Sequence, residues 1–284
     1  LVYNGKTILE DAVGVVRGPR LNTFRAFVDN DNQWGRWLRN DYFESGLTQM
    51  GYHVRPLVVT RQDDSTVTVT ATVEACGFKS GRFTHVAEYR VSGDGTIRVR
   101  NTVTPAGKLP VLPRMGVRLM LDGALEQMAY YGRGPWENYV DRNSGSDIGF
   151  YTSTVTEQYV PYVRPQECGG KSDVRWVAFT DRSGRGVHIT FPKPFFVTAL
   201  HYTSEDLEGA RHRNGMERIY NPLRPRPEVC LALDVGQTGL GGASCGPIPL
   251  EKYILRAQPF DYTYILRPCS DSSHEALSAL ARER

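Results

Sequence analysis

The sequence predicts an antiparallel all-β chain, and three observations carry that reading. Apolar and polar residues alternate with period two in residues 66–73 (TVTVTATV) and 96–103 (TIRVRNTV), the pattern of strands with one buried and one wet face. Turn formers separate such runs: Asp63, Asp64 and Ser65, then Gly93, Asp94 and Gly95. Each credible strand is followed by a short turn and not by a helix of ten or more residues, which excludes an α/β barrel.

Taken in order, residues 1–18 place apolar positions between Gly5, Gly14 and Gly18, as short strands joined by tight turns would. In residues 25–37 (RAFVDNDNQWGRW) the run Asp29, Asn30, Asp31, Asn32 lacks the spacing of a calcium loop and reads as a turn whose side chains bond their own backbone. Residues 38–51 are the one internal helix candidate, with Leu38, Tyr42 and Phe43 on one face and a stop at Gly46 or Gly51. In residues 66–73 the valines and Ala71 form one face. In 96–103, Ile97, Val99 and Val103 oppose Arg98, Arg100 and Thr102. A strand over 115–121 is expected to run directly into the turn at 130–142.

Residues 150–163 read as strand or extended loop, stopped by Pro161 and Pro165. Residues 174–179 and 186–191 read as a hairpin with Val187, Ile189 and Phe191 inward and His188 toward solvent or a second layer. Residues 203–213 read as a short rim helix capped by Thr203 or Ser204 ahead of Glu205 and Asp206. Strands follow at 230–235 and 262–266. The tail has Ser272 and Glu275 at capping-box spacing and reads as a terminal helix. The expected division is one β-sandwich domain over 1–268 and a tail over 269–284.

Composition narrows the function. A hydrophobic fraction of 40% and a charged fraction of 23% are those of a soluble globular protein. No apolar run approaches the roughly 18 residues of a membrane span, and no leader opens the chain. A net charge of +3 with scattered arginines argues against nucleic acid. Cys76, Cys168, Cys230, Cys245 and Cys269 include no C-x-x-C pair, so neither a zinc site nor a disulfide framework is expected, and a reducing compartment is the easier reading. His53, His85, His188, His201 and His212 have no cysteine or serine partner evident in the sequence and read as structural. The start at Leu1, without a methionine, points to an excised fragment.

The densest stretch is 130–142, YYGRGPWENYVDR. Gly132, Gly134 and Pro135 make an irregular turn, and Trp136, Glu137, Asn138, Tyr139, Asp141 and Arg142 follow at once. Such a load of rings, charges and amide is either a buried polar hub joining two layers or a sugar-contacting surface. The hub is favoured, because buried polar groups must find partners and turns gather them. Residues 166–176, with Glu167, Lys171, Asp173 and Arg175, are expected to pair their charges with it.

GRGPWENYVDR resembles the G-x-G-P-x-E-N-Y-x-D-R segment in the C-terminal domain of family 2 glycoside hydrolases, the bacterial β-galactosidases. RAFVDND (25–31), YVRPQECGGKSDVRW (162–176) and GLGG (239–242) keep the same order. The resemblance implies a large two-sheet sandwich of the galactose mutarotase-like kind, with one or two short helices, from a bacterial and more readily cytoplasmic than periplasmic enzyme. It implies that Asn32, Gln33, Trp34 and Trp37 belong to a mobile loop beside the substrate. It also implies that Gly241, Gly242 and Cys245 form a second pocket loop, Cys245 standing where the family has a stacking aromatic residue. Cys168 stands where the family commonly has asparagine.

A retaining galactosidase needs two carboxyl groups about 5 Å apart. In this family they sit on a (β/α)8 barrel of about 250 residues, for which this chain has neither the length nor the alternation. Catalytic residues are therefore expected to be absent, and Asp29 with Asp31 and Glu137 with Asp141 read as turn and ion-pair residues. The implied partners are the barrel of the same full-length chain, a galactoside and a second copy of the protein. No cofactor or metal is expected in this segment, the Mg or Na ions of the full-length enzyme belonging to other domains. An exposed apolar face is expected where the barrel docks. Two other classes stand against this one: a free-standing carbohydrate-binding module using Trp34, Trp37, Tyr130, Tyr131 and Trp136, and a mutarotase-type epimerase.

Overall fold

The computed structural model describes residues 2–3, 6–7, 11–12, 16–32, 38–79, 81–210, 223–243 and 245–283, without the side chains of 2–17 and Asn32. In chain order the strands are β1 (Val2–Tyr3), β2 (Lys6–Thr7), β3 (Asp11–Ala12), β4 (Val16–Arg17), β5 (Arg20–Asn22), β6 (Gly51–Val54), β7 (Val58–Arg61), β8 (Thr66–Cys76), β9 (Arg82–Ser92) and β10 (Ile97–Ala106). They continue with β11 (Arg114–Leu121), β12 (Gln127–Gly134), β13 (Asp147–Thr154), β14 (Lys171–Thr180), β15 (Gly186–Leu200), β16 (Val229–Gln237) and β17 (Phe260–Cys269). The helices are α1 (Asp29–Asn32), α2 (Arg39–Ser45), α3 (Ser204–Gly209) and α4 (His274–Arg282).

The pairing from β8 to β17 is antiparallel throughout, as the alternation requires. The two expected sheets are joined in one hydrogen-bonded network, ordered β13-β12-β14-β15-β17-β10-β9-β8-β6, from which β16, β11 and β5 branch. The branch lies within β15. Residues 186–190 pair with β17, and residues 196–200 pair with β16. Pro192 and Pro194 fall between these halves, where a missing N–H interrupts the ladder and lets the strand leave one layer for the other.

The core lies between the layers. Met115, Val117, Leu119 and Leu121 of β11 and Leu231 and Leu233 of β16 meet Val99, Ile189, Tyr262 and Tyr264. All eight residues of β11 are buried. Its other face carries Arg114 and Arg118, so the strand is apolar on one side and charged on the other while covered on both.

β10 follows the predicted alternation over 97–104, with Asn101 added to its buried face and bonded to His85 Nε2 at 2.9 Å. β14 and β15 form the predicted hairpin, with Val187, Ile189 and Phe191 buried. His188 is buried beneath α4, its ring 5.2 Å from Trp176.

Several elements differ from expectation. In β8, Thr66 and Thr68 are buried while Val67 and Val69 are only part-buried. The strand lies toward the far edge of the sheet, and its valines do not enter the main core among the described residues. β12 comes between β11 and the predicted turn and takes in residues 130–134, so Gly132 and Gly134 belong to a strand and the turn begins only at Pro135. The predicted helix stops at the first of its two expected ends, Gly46, which adopts φ +78°, the left-handed conformation that glycine allows. α3 is capped by Thr203, one of the two expected caps, which exchanges hydrogen bonds with Asp206, and it stops at Gly209, where the expected helix ran to 213. The cap of α4 is Ser273, whose Oγ accepts from Ala276 N, and not Ser272 with Glu275. Among the described residues no helix is long and apolar enough to cross a membrane.

Candidate functional site

The four motifs, up to 214 residues apart, meet at one junction. Arg25 is fully buried. Its Nε and Nη2 donate to the Asp31 carboxylate at 3.1 and 2.8 Å, while Nη1 donates to Thr238 O at 2.5 Å and Nη2 also to Gly239 O at 3.3 Å. Asp31 accepts from Val28 N as well, which closes the turn of α1. Asn30 Nδ2 donates to Leu240 O and Gly241 O at 3.1 and 2.5 Å. From the opposite side the Asp141 carboxylate accepts from Leu240 N and Gly241 N at 3.0 and 2.7 Å. A Cβ on Gly239 would fall on that carboxylate and have to push it aside.

The 130–142 turn is bonded to residues 166–172. Asn138 donates from its backbone N to Gly170 O at 2.9 Å, and its Oδ1 accepts from Ser172 N and Oγ at 2.8 and 2.5 Å. Its Nδ2 donates to Arg133 O and Trp136 O. Glu137 accepts from Gly169 N at 2.8 Å, from Arg142 Nη2 at 3.0 Å and from the Tyr162 hydroxyl. Gln166 Oε1 accepts from Asp29 N, and Glu167 N donates to Ala26 O, which ties the same segment to the first motif. Tyr139 is buried against Val28, Phe196 and Leu240. Trp136 is 76% exposed and projects from the turn into solvent.

Glu167 and Arg175 take other partners than the hub. Glu167 accepts from Arg114 Nη1 at 3.2 Å, and Arg114 also grips Asp234 at 2.6 and 2.8 Å. Burial pushes the Asp234 carboxyl up to about 6 despite that guanidinium. Gly116, the neighbour of Asp234 across the ladder, leaves the space that this side chain fills. Arg175 bonds back to Asp173 O on its own strand. Lys171 is buried with Nζ on Gly169 O at 3.3 Å, and burial lowers its amine to about 8. Cys168 is buried with Ala26, Leu200 and Leu207, and burial pushes its thiol up to about 12.

Of the expected pocket residues, Gly241 takes φ +61°, Gly242 N donates to Pro247 O, and Cys245 is exposed with its N donating to Gly242 O. Asn32 ends α1. Gln33, Trp34, Trp37, the Asn32 side chain and His212 lie outside the described residues. Asn30 and Arg25 therefore fasten residues 238–241 to the turn of α1. The carboxylates of Asp31, Asp141, Glu137 and Glu167 are each bound by guanidinium or N–H groups and are committed to structure. Among the described residues no three His, Cys, Asp or Glu side chains gather to hold a metal ion.

Arg25, Arg114 and Arg118 were the residues whose roles pattern alone missed. Each interrupts an apolar run, and a charge in such a setting needs a buried partner.

The model of the β-galactosidase small chain matches residues 1–266. The chain belongs to that family. It is 32% identical over 229 residues to a β-galactosidase of Priestia megaterium, covering 79% of this chain and 20% of the relative. It is 30% identical over 263 residues to β-galactosidase BgaC of Bifidobacterium adolescentis, covering 89% and 24%. This small-chain segment thus spans about a fifth to a quarter of the curated relatives it matches. Among solved structures it aligns with a GalM/aldose epimerase homologue from C. elegans at 12% identity and TM-score 0.37, covering 77% of this chain and 70% of the other. A galactose 1-epimerase from Lactobacillus acidophilus aligns at 8% identity and TM-score 0.38, covering 77% and 66%.

Proposed function

We propose that this chain is the C-terminal β-sandwich domain of a retaining β-galactosidase acting on terminal β-D-galactosides such as lactose. It supports the catalytic barrel and closes the far side of the substrate pocket, while the catalytic glutamates reside elsewhere in the enzyme. The carrying observation is the lacing of Arg25, Asn30 and Asp141 through residues 238–241, which fixes together the bases of the two loops assigned to the pocket. A wall that positions sugar must be held to a fraction of an ångström, and buried bidentate bonds provide that rigidity. Cys245 has no ring, so stacking on the sugar falls to Trp34 or Trp37. Val54, Leu57, Val58 and Val59, all more than half exposed at one sheet edge, offer an apolar surface of the kind a neighbouring domain covers.

Two measurements test this. The isolated chain releases no galactose from an activated galactoside, whereas the natural-length enzyme does. In that enzyme, Trp34→Ala with Trp37→Ala raises KM about tenfold or more, the value of one lost stacking contact. Turnover by the isolated chain, or an unmoved KM, defeats the proposal.

A further inference from the structure

A second feature lies on the charged face of β11, apart from the junction. Arg118 stands directly across the ladder from Arg20 of β5. Two like charges in that relation repel unless an acid lies between them. Glu205, in the first turn of α3, is that acid. It accepts from Arg118 Nη1 and Nη2 at 2.6 and 2.9 Å and lies 3.9 Å from Arg20. Arg20 in turn sits over the Tyr52 ring, 5.0 Å from its centroid. These groups line a cleft of about 220 Å³ whose rim is the turn Leu47–Gln49 and Met50.

The cleft is built and open. Arg118 is almost wholly buried and cannot reorient, while the Glu205 side chain is 43% exposed. Its carboxylate therefore presents its remaining acceptor lone pairs 3.9 Å from the part-exposed Arg20 guanidinium, an acceptor and a donor side by side, as vicinal hydroxyls require. Tyr52 and Met50 add an apolar wall with a phenol at its edge. A cation would meet two arginines, and an anion would meet Glu205. A neutral polyol meets a complementary group at each position. The volume is below that of drug-sized pockets and admits one ring but not a chain.

We infer that this cleft binds a single neutral hexose. The inference rests on the cleft residues alone and stands or falls independently of the galactosidase reading.

The test is equilibrium dialysis of labelled D-galactose and D-glucose against the protein at its natural length, comparing wild type with Gln49→Trp and Tyr52→Phe. Gln49 is exposed on the rim, so tryptophan there fills the opening without disturbing the buried pair. The Gln49→Trp protein is expected to bind one equivalent of hexose fewer than wild type, with an unchanged circular dichroism spectrum and melting curve. Tyr52→Phe is expected to weaken the same equivalent about fivefold, the loss of one hydrogen bond. Equal stoichiometry and affinity in all three proteins overturns the inference. So does a site that takes galacturonate in preference to galactose, which would make it an anion site. Galactoside hydrolysis measured in parallel reads the other proposal, and its absence in wild type would count against that proposal and not this one.

Discussion

Replacing Arg25 by methionine removes a guanidinium that neutralises Asp31 and bonds the carbonyls of Thr238 and Gly239, all in a fully buried setting. Breaking one partner out of a buried pair costs about 3–5 kcal/mol, since the remaining charge is stranded away from water. The two carbonyls lose a donor each, about 1 kcal/mol apiece. A loss of about 4 kcal/mol or more is therefore expected in urea denaturation monitored by tryptophan fluorescence, at unchanged m-value. The double variant Arg25→Met, Asp31→Leu leaves no stranded carboxylate and is expected to recover at least about 2 kcal/mol relative to the sum of the single changes. A single variant within about 1 kcal/mol of wild type, or strict additivity, would refute the claim that this pair locks the junction.

Two further outcomes follow from the geometry. Burial, with Arg267 adding to it, holds the His188 imidazolium pKa down to about 4, below its ordinary value, so the folded state binds fewer protons than the unfolded one. That stability is fully present above about 6.5 and is lost as pH falls toward 4, by about 3 kcal/mol at its full extent; His188→Leu should flatten this limb in pH-dependent denaturation, and an unchanged limb would contradict it. Gly239→Ala places a Cβ on the Asp141 carboxylate and displaces it from Leu240 N and Gly241 N, for an expected loss of about 2–4 kcal/mol in the same denaturation assay. An alanine variant as stable as wild type would mean that the contact yields freely.

What the sequence made legible was local. The alternation of β10, the β14–β15 hairpin and the cap of α3 each depend on neighbours within a few residues, and the residues state them. β8 shows the limit: its valines alternate as well as those of β10, but no local pattern records whether a second layer lies above them. The double role of β15 was equally hidden, although Pro192 and Pro194 were in plain view as the place where a ladder must lapse. At the junction, the order of the four motifs marked them as a set. Which atoms join them was beyond reach, because Arg25 finds Thr238 across 213 residues and nothing near Arg25 names its acceptor. The expected charge pairing of 166–176 with the hub held for Asp173, which receives Arg133 Nε at 2.5 Å, while Glu167 turned inward to Arg114, a partner in a strand whose apolar run gave no sign of it.

The strand that belongs to both leaves has a practical consequence. Cutting the fold between its leaves would leave either piece with half of β15 and a bare row of backbone amides, a template for aggregation. Anyone transplanting the junction of the four motifs onto another scaffold would need to carry both leaves together, for β15 is shared between them.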